Sequence, residues 1–422
     1  SWLSAPGVDR RAAILPWQSE EELEKLSPVK ASSLYLEHLS RAWEKEMGLP
    51  LAEQVLVVTV PASFDAVARE LTVEAARMAG LPQVYLIEEP LAAFYSWLSL
   101  NRSTWRRRLR HRKLVLVCDV GGGTTDFTLI SIKEKEGVLT PERIAVGDHL
   151  LAGGDNIDRR IAHRLEQKLF GSPGEVDAAR FSALIASARR AKEELLGGGN
   201  DVAGGDDNAA GGDDNAAGGD DNAAGGGNDV AGGGNDLSMD EVTVTLPGRG
   251  SSLVASSLSC TLSREEICSI VLEEFFPLCR IEEVNREIKR SGLMELGLPY
   301  APDAAVTRNL LRFLKEQGLP RVDALLFNGG TLRPEILRSR MLETLEGAMQ
   351  AQATQAQTAQ AAQAQAAQAQ AAQAQAAQAQ AARAEKGVKE KKLSIKDLNS
   401  EDLDHSVARG AAVYALAREG LG

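Results

Sequence analysis

The chain has 422 residues, 44% of them hydrophobic, and a formal net charge of −12. This hydrophobic fraction can build a core and argues against wholesale disorder. The negative charge argues against a nucleic-acid-binding protein, whose surface is normally basic. No run of about eighteen apolar residues occurs, so the sequence predicts no membrane span.

Most of the acidic charge lies in one low-complexity segment. Residues 197–236 contain nine Asp, fifteen Gly and no Lys, Arg or His, and removing them changes the net charge from −12 to −3. Their short GGDDNAA repeats cannot bury a hydrophobic face, and paired glycines keep the backbone entropy high. The pattern predicts a flexible acidic loop inserted into an otherwise near-neutral protein.

A second low-complexity segment consists almost entirely of Ala and Gln. Residues 348–382 carry no charge and repeat QAQAA after Gln350. Both residue types favour helix, but the tract has no stripe of large apolar residues to anchor it to a core. We interpret residues 348–392 as a spacer between two parts of one domain.

The cysteines and the N-terminal residues indicate a reducing compartment. The four cysteines form no C-x-x-C pair, and no histidine stands at metal-ligand spacing from them. Free thiols fit a cytoplasmic protein, and no signal peptide is visible at the start of the chain. Because the first residue is not Met, we expect the chain to begin inside a longer reading frame.

Hydrophobic periodicity and β-branched runs predict alternating helices and strands. Up to residue 132 the prediction is, in chain order, helix 29–47, strand 54–60, helix 65–80 with Ser63 as candidate cap, strand 84–87, helix 91–100, and strands 114–119 and 126–132. The remaining predictions are helices 158–170 and 177–196, strand 241–246, helices 264–276 and 306–316, strand 323–327, and helices 333–345 and 405–418.

A glycine turn joins strands 114–119 and 126–132 into a β-hairpin. Gly121, Gly122 and Gly123 can point backbone N–H groups into a concavity suited to phosphate oxygens, and Thr124 and Thr125 add hydroxyl groups. The hairpin differs from the P-loop and from the dinucleotide fingerprint, both of which lead into a helix. An ordinary glycine turn in a sheet is the alternative interpretation.

Two carboxylates bracket this turn. Asp119 ends the first strand and Asp126 begins the second. Carboxylates beside a phosphate require a cation between them, and hydrated magnesium prefers such ligands. The pattern therefore predicts a nucleotide with magnesium.

Carboxylates and glycine pairs also occur at the ends of other predicted strands. Glu89 stands at the exit of strand 84–87, where it could orient an attacking water. Gly153 and Gly154 precede a helix, and Gly329 and Gly330 lead from a strand to a helix. Repeated glycine pairs at strand ends suggest a nucleotide held between two lobes.

Several motifs then occur in one order along the chain: VTVPASF, IEEPLAAF, DVGGGTTDFTLI, AGGDNID, NGGTLRP and SVARGAAVYAL. Together they resemble the ATPase domain of DnaK-type chaperones of the heat shock protein 70 family, in a divergent bacterial-type branch. The resemblance covers roughly residues 50–196, 237–345 and 395–420. It implies an α/β, two-lobed actin-like ATPase fold of the ribonuclease H-like type.

The resemblance also implies roles for individual residues. Asp119 and Asp126 would sit around magnesium, and Glu89 would help to position the hydrolytic water. By the same resemblance the phosphate-contacting and catalytic loop would comprise Gly121, Gly122, Gly123, Thr124 and Thr125, with Gly153 and Gly154 approaching the phosphates. The adenosine side would comprise Gly329, Gly330 and Arg333, with Lys192 on the opposite wall and Asp404 starting the crossing helix.

The family's first phosphate loop, an Asp-x-Gly-Thr hairpin, and the lysine that follows it are not found in this chain. We therefore expect an N-terminally truncated domain. Its parts would be a partial first lobe over 1–113, a second lobe over 114–347 with the acidic loop, the spacer 348–392, and a closing segment with the crossing helix over 393–422.

By resemblance, the expected function is ATP binding and hydrolysis by a molecular chaperone, with ATP or ADP and Mg²⁺ as cofactors. Client polypeptides and co-chaperones would be its partners. Neither nucleic acid nor a membrane is expected as a partner. The alternatives are an actin-like structural nucleotide-binding protein, a catalytically inactive ATP-binding fragment, and a small-metabolite kinase. IEEPLAAF favours the chaperone branch.

Overall fold

The computed structural model describes residues 2–5, 7–17, 24–109, 114–135, 138–172, 176–197, 240–246, 257–285, 303–318, 321–375, 395–398 and 403–420. The helices are α1 Pro28–Met47, α2 Ala66–Met78, α3 Glu89–Leu100, α4 Trp105–Leu109, α5 Gly154–Phe170, α6 Ala178–Gly197, α7 Arg264–Ser269, α8 Val306–Glu316, α9 Glu335–Gln375 and α10 Ser406–Arg418. The strands are β1 Val57–Val60, β2 Tyr85–Glu88, β3 Leu114–Val120, β4 Thr125–Lys135, β5 Val138–Val146, β6 Glu241–Leu246, β7 Leu258–Ser263, β8 Ala324–Asn328 and β9 Lys396–Asp397.

The described residues divide into two compact units. One contains residues 1–161 and 268–422, and the other contains residues 162–267. The first unit holds a five-stranded sheet in the order β5-β4-β3-β8-β9 and a separate parallel pair, β1-β2. The second unit holds the antiparallel pair β6-β7. This mixture of helices and sheets agrees with the predicted α/β class.

The central sheet is mixed in direction. Strand β3 pairs antiparallel with β4 and parallel with β8. Its middle residues are fully buried, which explains why its sequence is continuously apolar rather than alternating. The register places Asp119 opposite Asp126 on one side and Asn328 on the other. Polar groups from three strands therefore meet at one end of β3.

The chain's late residues return to this sheet and to α3. The Trp97 indole Nε1 donates to the Leu398 carbonyl at 2.7 Å, just after β9. Helix α10 crosses α3 so closely that a Cβ on Gly410 would overlap the Ala92 carbonyl. Only glycine fits such a backbone approach, and α10 is thereby held against the helix that begins with Glu89.

Several predicted boundaries are corrected by the structure. Asp65, not Ser63, caps α2, because its carboxylate accepts from the Ala68 amide at 2.7 Å. Helix α5 begins at Gly154 rather than at residue 158, and the predicted helix 264–276 changes to a π-helical turn after Ser269.

The low-complexity segments are described only in part. Helix α9 begins at Glu335 and continues through the first part of the Ala/Gln tract to Gln375, while residues 376–392 of the predicted spacer lie outside the described residues. The predicted acidic loop also lies outside them, except for Gly197. No helix in the described ranges is long and apolar enough to cross a membrane.

Candidate functional site

Two glycine loops meet at the end of the central sheet. The Gly154 amide donates to the Gly121 carbonyl at 3.0 Å, and the Asp155 amide donates to the Gly122 carbonyl at 2.7 Å. A Cβ on Gly153 would lie 2.5 Å from the Gly121 oxygen, so this position excludes any side chain. The structure thus brings together the first two glycine motifs predicted from the sequence.

Hydroxyl groups help to fix these loops. Thr125 is buried and its Oγ1 donates to the Ala152 carbonyl at 2.7 Å, so this hydroxyl braces the loop from within. Thr124 is half-buried, and its carbonyl accepts from the Gly121 amide at 2.9 Å, which closes the hairpin turn. Beside the two threonines, the exposed face of the turn belongs to Gly122 and Gly123.

A third glycine loop, the one that follows β8, contacts the turn between β3 and β4. Gly329, at φ 88°, turns the chain out of β8, and a Cβ there would overlap the Val120 carbonyl. The Thr331 hydroxyl then donates to the Gly121 carbonyl at 2.9 Å. The carbonyl of Gly121 therefore links all three predicted glycine motifs.

Asp119 belongs to a hydrogen-bond chain that crosses two neighbouring strands. The Asn328 amide Nδ2 donates to Asp119 Oδ2 at 2.6 Å, and the Ser406 hydroxyl at the start of α10 donates to Asn328 Oδ1. Burial raises the pKa of Asp119 to about 6; the hydrogen bond from Asn328 opposes this shift and repulsion from Asp126 adds to it. A carboxyl with this pKa is mostly ionised at neutral pH.

Asp126 is held by two side chains that the sequence did not point to. The Ser63 hydroxyl donates to Asp126 Oδ1 at 3.2 Å, and His149 Nδ1 lies 3.0 Å from the same oxygen. Asp126 is itself buried. In the tautomer with its proton on Nδ1, His149 donates to this carboxylate.

Glu89 stands at the start of α3, within the influence of both aspartates. Burial raises the pKa of Glu89 to about 8, and repulsion from Asp119 and then Asp126 adds to the shift. Asp119 and Asp126 are therefore close enough to Glu89 to oppose the ionisation of its carboxyl. Such a concentration of negative charge favours a cation.

The acidic group fits hydrated magnesium. Magnesium keeps several waters and is usually held by one or two carboxylates together with substrate phosphates. Asp119 and Asp126 face each other across the β3–β4 ladder and supply two such carboxylates. No cluster of three or more metal-ligating side chains occurs in the described part of the chain, so any ion here would depend on water and phosphate for its other ligands.

Three of the residues predicted to face adenosine, Gly330, Arg333 and Asp404, are neighbours in the structure. The Arg333 guanidinium contacts the Asp404 carboxylate, and a Cβ on Gly330 would lie 3.2 Å from Asp404 Oδ1. Both charged side chains are partly exposed and open to a ligand. Lys192 lies on α6 in the second compact unit, so its predicted place on the opposite wall stays a prediction.

Sequence reasoning missed Asn328, Ser63 and His149. Asn328 is visible as the first residue of the NGGTLRP motif, directly after a strand, but nothing local reveals its partner. In the sequence Ser63 resembles a helix cap, and His149 resembles a surface or structural histidine. Each of them acts on a carboxylate that is remote in sequence, so spacing alone could not reveal the pairing.

Comparison with known proteins points to one family. Residues 9–197 match the family model described as Hsp70 protein. Over 169 residues, or 40% of this chain and 25% of the relative, the sequence is 32% identical to "Chaperone protein HscA homolog" of Acinetobacter baylyi. Over 182 residues, or 42% of this chain and 27% of the relative, it is 31% identical to "Chaperone protein DnaK" of Stenotrophomonas maltophilia.

These matches cover a limited part of each protein. The aligned part of the chain spans about a quarter of the length of the curated relatives that it matches. The match confirms the predicted fold class, the two-lobed actin-like α/β fold of this family, and the matched residues include the hairpin and the glycine loop of α5. On these grounds residues 9–197 of the chain are assigned to the Hsp70 family.

Proposed function

We propose that the chain binds ATP with magnesium at the three converging glycine loops. The observation that carries this proposal is the contact of Gly153 with the Gly121–Gly122 backbone, where no Cβ can fit. Such packing leaves the backbone of Gly122 and Gly123 exposed beside two carboxylates. Phosphate oxygens suit the amides, and a divalent cation suits the carboxylates.

The division of roles follows the geometry and the resemblance together. Gly121, Gly122, Gly123 and Thr124 would contact phosphates, with Gly153 and Gly154 closing the loop behind them. Asp119 and Asp126 would hold the magnesium ion through its water shell. Magnesium, when bound, bridges phosphate oxygens and neutralises the charge that develops on them.

The nucleoside end would be held by a separate group of residues. Arg333 is expected to pack against adenosine, and Asp404 keeps the guanidinium in place through their contact. Gly329 and Gly330 allow the backbone to approach the nucleoside without a side chain. Lys192 is assigned to the adenosine side by the resemblance alone.

We further propose that Glu89 assists hydrolysis by accepting a hydrogen bond from the attacking water. A carboxyl with a pKa of about 8 is mostly protonated at neutral pH and accepts poorly. Neutralising Asp119 and Asp126 would remove the repulsion that helps to keep Glu89 protonated, so its pKa would fall. Glu89 would therefore become a better acceptor only when the site is loaded.

At the level of the whole protein, we propose an ATP-hydrolysing chaperone. The two relatives are named chaperones, and 40% and 42% of this chain align with them. Nucleotide state would be coupled to the binding of client polypeptides, aided by co-chaperones, in the cytoplasm. The predicted division into lobes at residue 113 remains part of this proposal.

Titration of the chain with ATP, with and without magnesium, tests the binding proposal. We expect magnesium-dependent binding in the wild-type chain and in Gly347→Ala, because a Cβ on Gly347 meets no atom within 4 Å. We expect loss of binding in Gly153→Ala. Absence of wild-type binding at millimolar ATP would overturn the assignment.

Hydrolysis is tested separately by single-turnover measurement with bound ATP. Glu89→Gln keeps the shape of the side chain but removes the negative charge, so it should bind ATP and cleave it more slowly. Equal rates in the wild type and in Glu89→Gln would contradict the role of Glu89. ATP binding without any cleavage would identify the chain as a binding module rather than an enzyme.

A further inference from the structure

An ion cluster built around one buried carboxylate stands immediately before Glu89. The Glu88 carboxylate, whose side chain is only 10% exposed, contacts Arg69 Nη2 and Arg143 Nη1, each at 2.6 Å. Both guanidinium groups donate to the same oxygen, Oε1, and the buried Oε2 has no hydrogen-bond partner among the described residues. Three elements, α2, β2 and β5, are therefore tied together at one carboxylate.

Each arginine of the cluster also reaches the loop that follows β1. Arg143 Nη1 donates to the Ala62 carbonyl at 3.4 Å, and Arg69 Nε donates to the Phe64 carbonyl at 3.1 Å. These two carbonyls flank Ser63 in the sequence. The loop is therefore held on both sides of Ser63 by groups that Glu88 orients.

Ser63 transmits this arrangement to Asp126. Its hydroxyl donates to Asp126 Oδ1, the same oxygen that faces His149 Nδ1. In the described part of the chain no hydrogen bond reaches Asp126 Oδ2. Two donors on Oδ1 restrict the orientation of the Asp126 carboxylate. The orientation of Oδ2, which is left for other ligands, is thereby restricted as well.

The energetics of buried charge suggest that the cluster has a role beyond stability. Buried ion pairs lose much of their Coulomb energy to desolvation, and apolar residues of similar volume often stabilise a fold equally well. Arginine, however, offers several donors in a rigid fork and can hold one carboxylate and one carbonyl at once. This geometry suits the positioning of a loop better than simple stabilisation.

We propose that Glu88, Arg69 and Arg143 form a positioning network that places Ser63 against Asp126 and so orients the carboxylate used for magnesium and nucleotide. The inference rests on the proposed function of the site. None of the three residues is expected to touch the nucleotide. Glu88 acts through its two arginines and Ser63, and it also fixes the strand end from which Glu89 emerges.

The matched variants are Glu88→Gln, Ser63→Ala, their double mutant, and Glu74→Gln as control. Glu74 also pairs with an arginine, Arg11, with Nη2 and Oε2 2.6 Å apart, but this pair is on the exposed side of α2. The glutamate-to-glutamine change is the same at both sites. Only the change at Glu88 should affect the loop and the site.

The first measurement uses the full chain without nucleotide. Amide hydrogen exchange of residues 62–64 should accelerate in Glu88→Gln and stay at the wild-type rate in Glu74→Gln. The Phe64 amide is a suitable reporter because it donates to the Pro61 carbonyl at 3.1 Å. Unchanged exchange in Glu88→Gln would overturn the inference.

The second measurement is the ratio of the ATP Kd in EDTA to the ATP Kd with magnesium. A general loss of stability lowers the melting temperature but leaves this ratio unchanged in the folded protein. We expect the ratio to fall about threefold to tenfold in Glu88→Gln and in Ser63→Ala, the range for losing one ordinary intramolecular hydrogen bond. The double mutant should fall no further, because both changes act on one path.

The outcomes separate the two proposals. Failure of the wild-type chain to bind ATP would overturn the proposed function and this inference with it. Magnesium-dependent binding with an unchanged ratio in Glu88→Gln, or with fully additive effects in the double mutant, would overturn the inference alone. If Glu88→Gln does not fold, Arg143→Lys replaces it, because that side chain is 38% exposed.

Discussion

Asn328 donates a hydrogen bond to Asp119 across two parallel strands, with 2.6 Å between Nδ2 and Oδ2. The two residues are 209 positions apart in the sequence, yet they are register partners at the ends of β3 and β8. Asn328 is in turn fixed by Ser406 from α10. The protonation of Asp119 thus depends on residues from the last part of the chain.

Replacing Asn328 by Ala should lower the free energy of unfolding by about 1.5 to 3 kcal/mol, the usual value of a hydrogen bond to a charged group. It should also raise the pKa of Asp119 further, because the hydrogen bond from Asn328 opposes the shift. Denaturant unfolding and NMR titration of the carboxyl carbon check the two effects. Asn309→Ala removes another buried amide, which binds the Asp303 carbonyl, and serves as control. An equal pKa of Asp119 in both variants would contradict the prediction.

Gly153→Ala should disrupt the contact between the first two glycine loops. The added Cβ would lie 2.5 Å from the Gly121 oxygen, and since that atom belongs to the backbone the loop itself must move. We expect the affinity for ATP to fall more than tenfold, equivalent to about 1.4 kcal/mol or more. Isothermal titration measures the loss. Gly347→Ala, at an open position within α9, is the control: it should raise the free energy of unfolding by at most about 1 kcal/mol and leave the affinity for ATP unchanged. Similar ATP affinities in the two variants would count against the loop assignment.

Glu89→Gln should stabilise the magnesium-free protein increasingly as the pH rises. At pH 4 the carboxyl is mostly protonated in both the folded and the unfolded chain, so the variant and the wild type should be about equally stable. Between the ordinary pKa of 4.5 and the folded pKa of about 8, only the unfolded chain releases the proton. Wild-type stability is therefore lost over this window, by up to about 1.4 kcal/mol for each pH unit that separates the two pKa values.

Urea unfolding in EDTA at several pH values between 4 and 8 measures this difference. Addition of magnesium and ATP should reduce the stability difference between the variant and the wild type, because the magnesium ion would then offset the negative charge of the two aspartates. A difference that stays constant from pH 4 to pH 8 would show that Glu89 ionises normally in the folded protein.

Arg333→Ala should weaken ATP binding without changing stability by more than about 1 kcal/mol, because the pair with Asp404 is partly exposed. If Arg333 contacts the nucleoside, the affinity for inorganic tripolyphosphate should remain at the wild-type value. Competition titrations with ATP and tripolyphosphate distinguish the two ends of the ligand. Arg41→Ala removes the exposed partner of Glu37 on α1 and should alter neither affinity. Equal losses for both ligands would place Arg333 at the phosphates instead.

Local patterns predicted those parts of the fold that depend on neighbouring residues. The hairpin of β3 and β4 was predictable because an apolar run, three glycines and a second run are adjacent in the sequence. Strand β5 was not predicted, because Pro141 and its polar neighbours weaken the strand pattern, and proline is tolerated there only at a sheet edge. Strand β9 has only two residues, too few for any periodic signal.

The candidate site was predictable as a set of motifs but not as a network of contacts. The glycines and the two aspartates carry recognisable local chemistry. Ser63, Asn328 and Glu88 look like ordinary polar residues in the sequence, and their roles arise only when distant strands align. Glu88 illustrates the difficulty best, because its two arginine partners lie 19 and 55 positions away.

The bond from Trp97 to the Leu398 carbonyl also constrains how the protein is made. Its two residues are separated by 301 positions, and at a ribosomal rate of roughly 5–20 residues per second the second follows the first by roughly 15–60 seconds. During that interval α3 exists without β9 and α10, and Phe94 and Trp97 lack part of their cover. A nascent chain in this state exposes apolar surface that favours aggregation until the last residues of the chain are made.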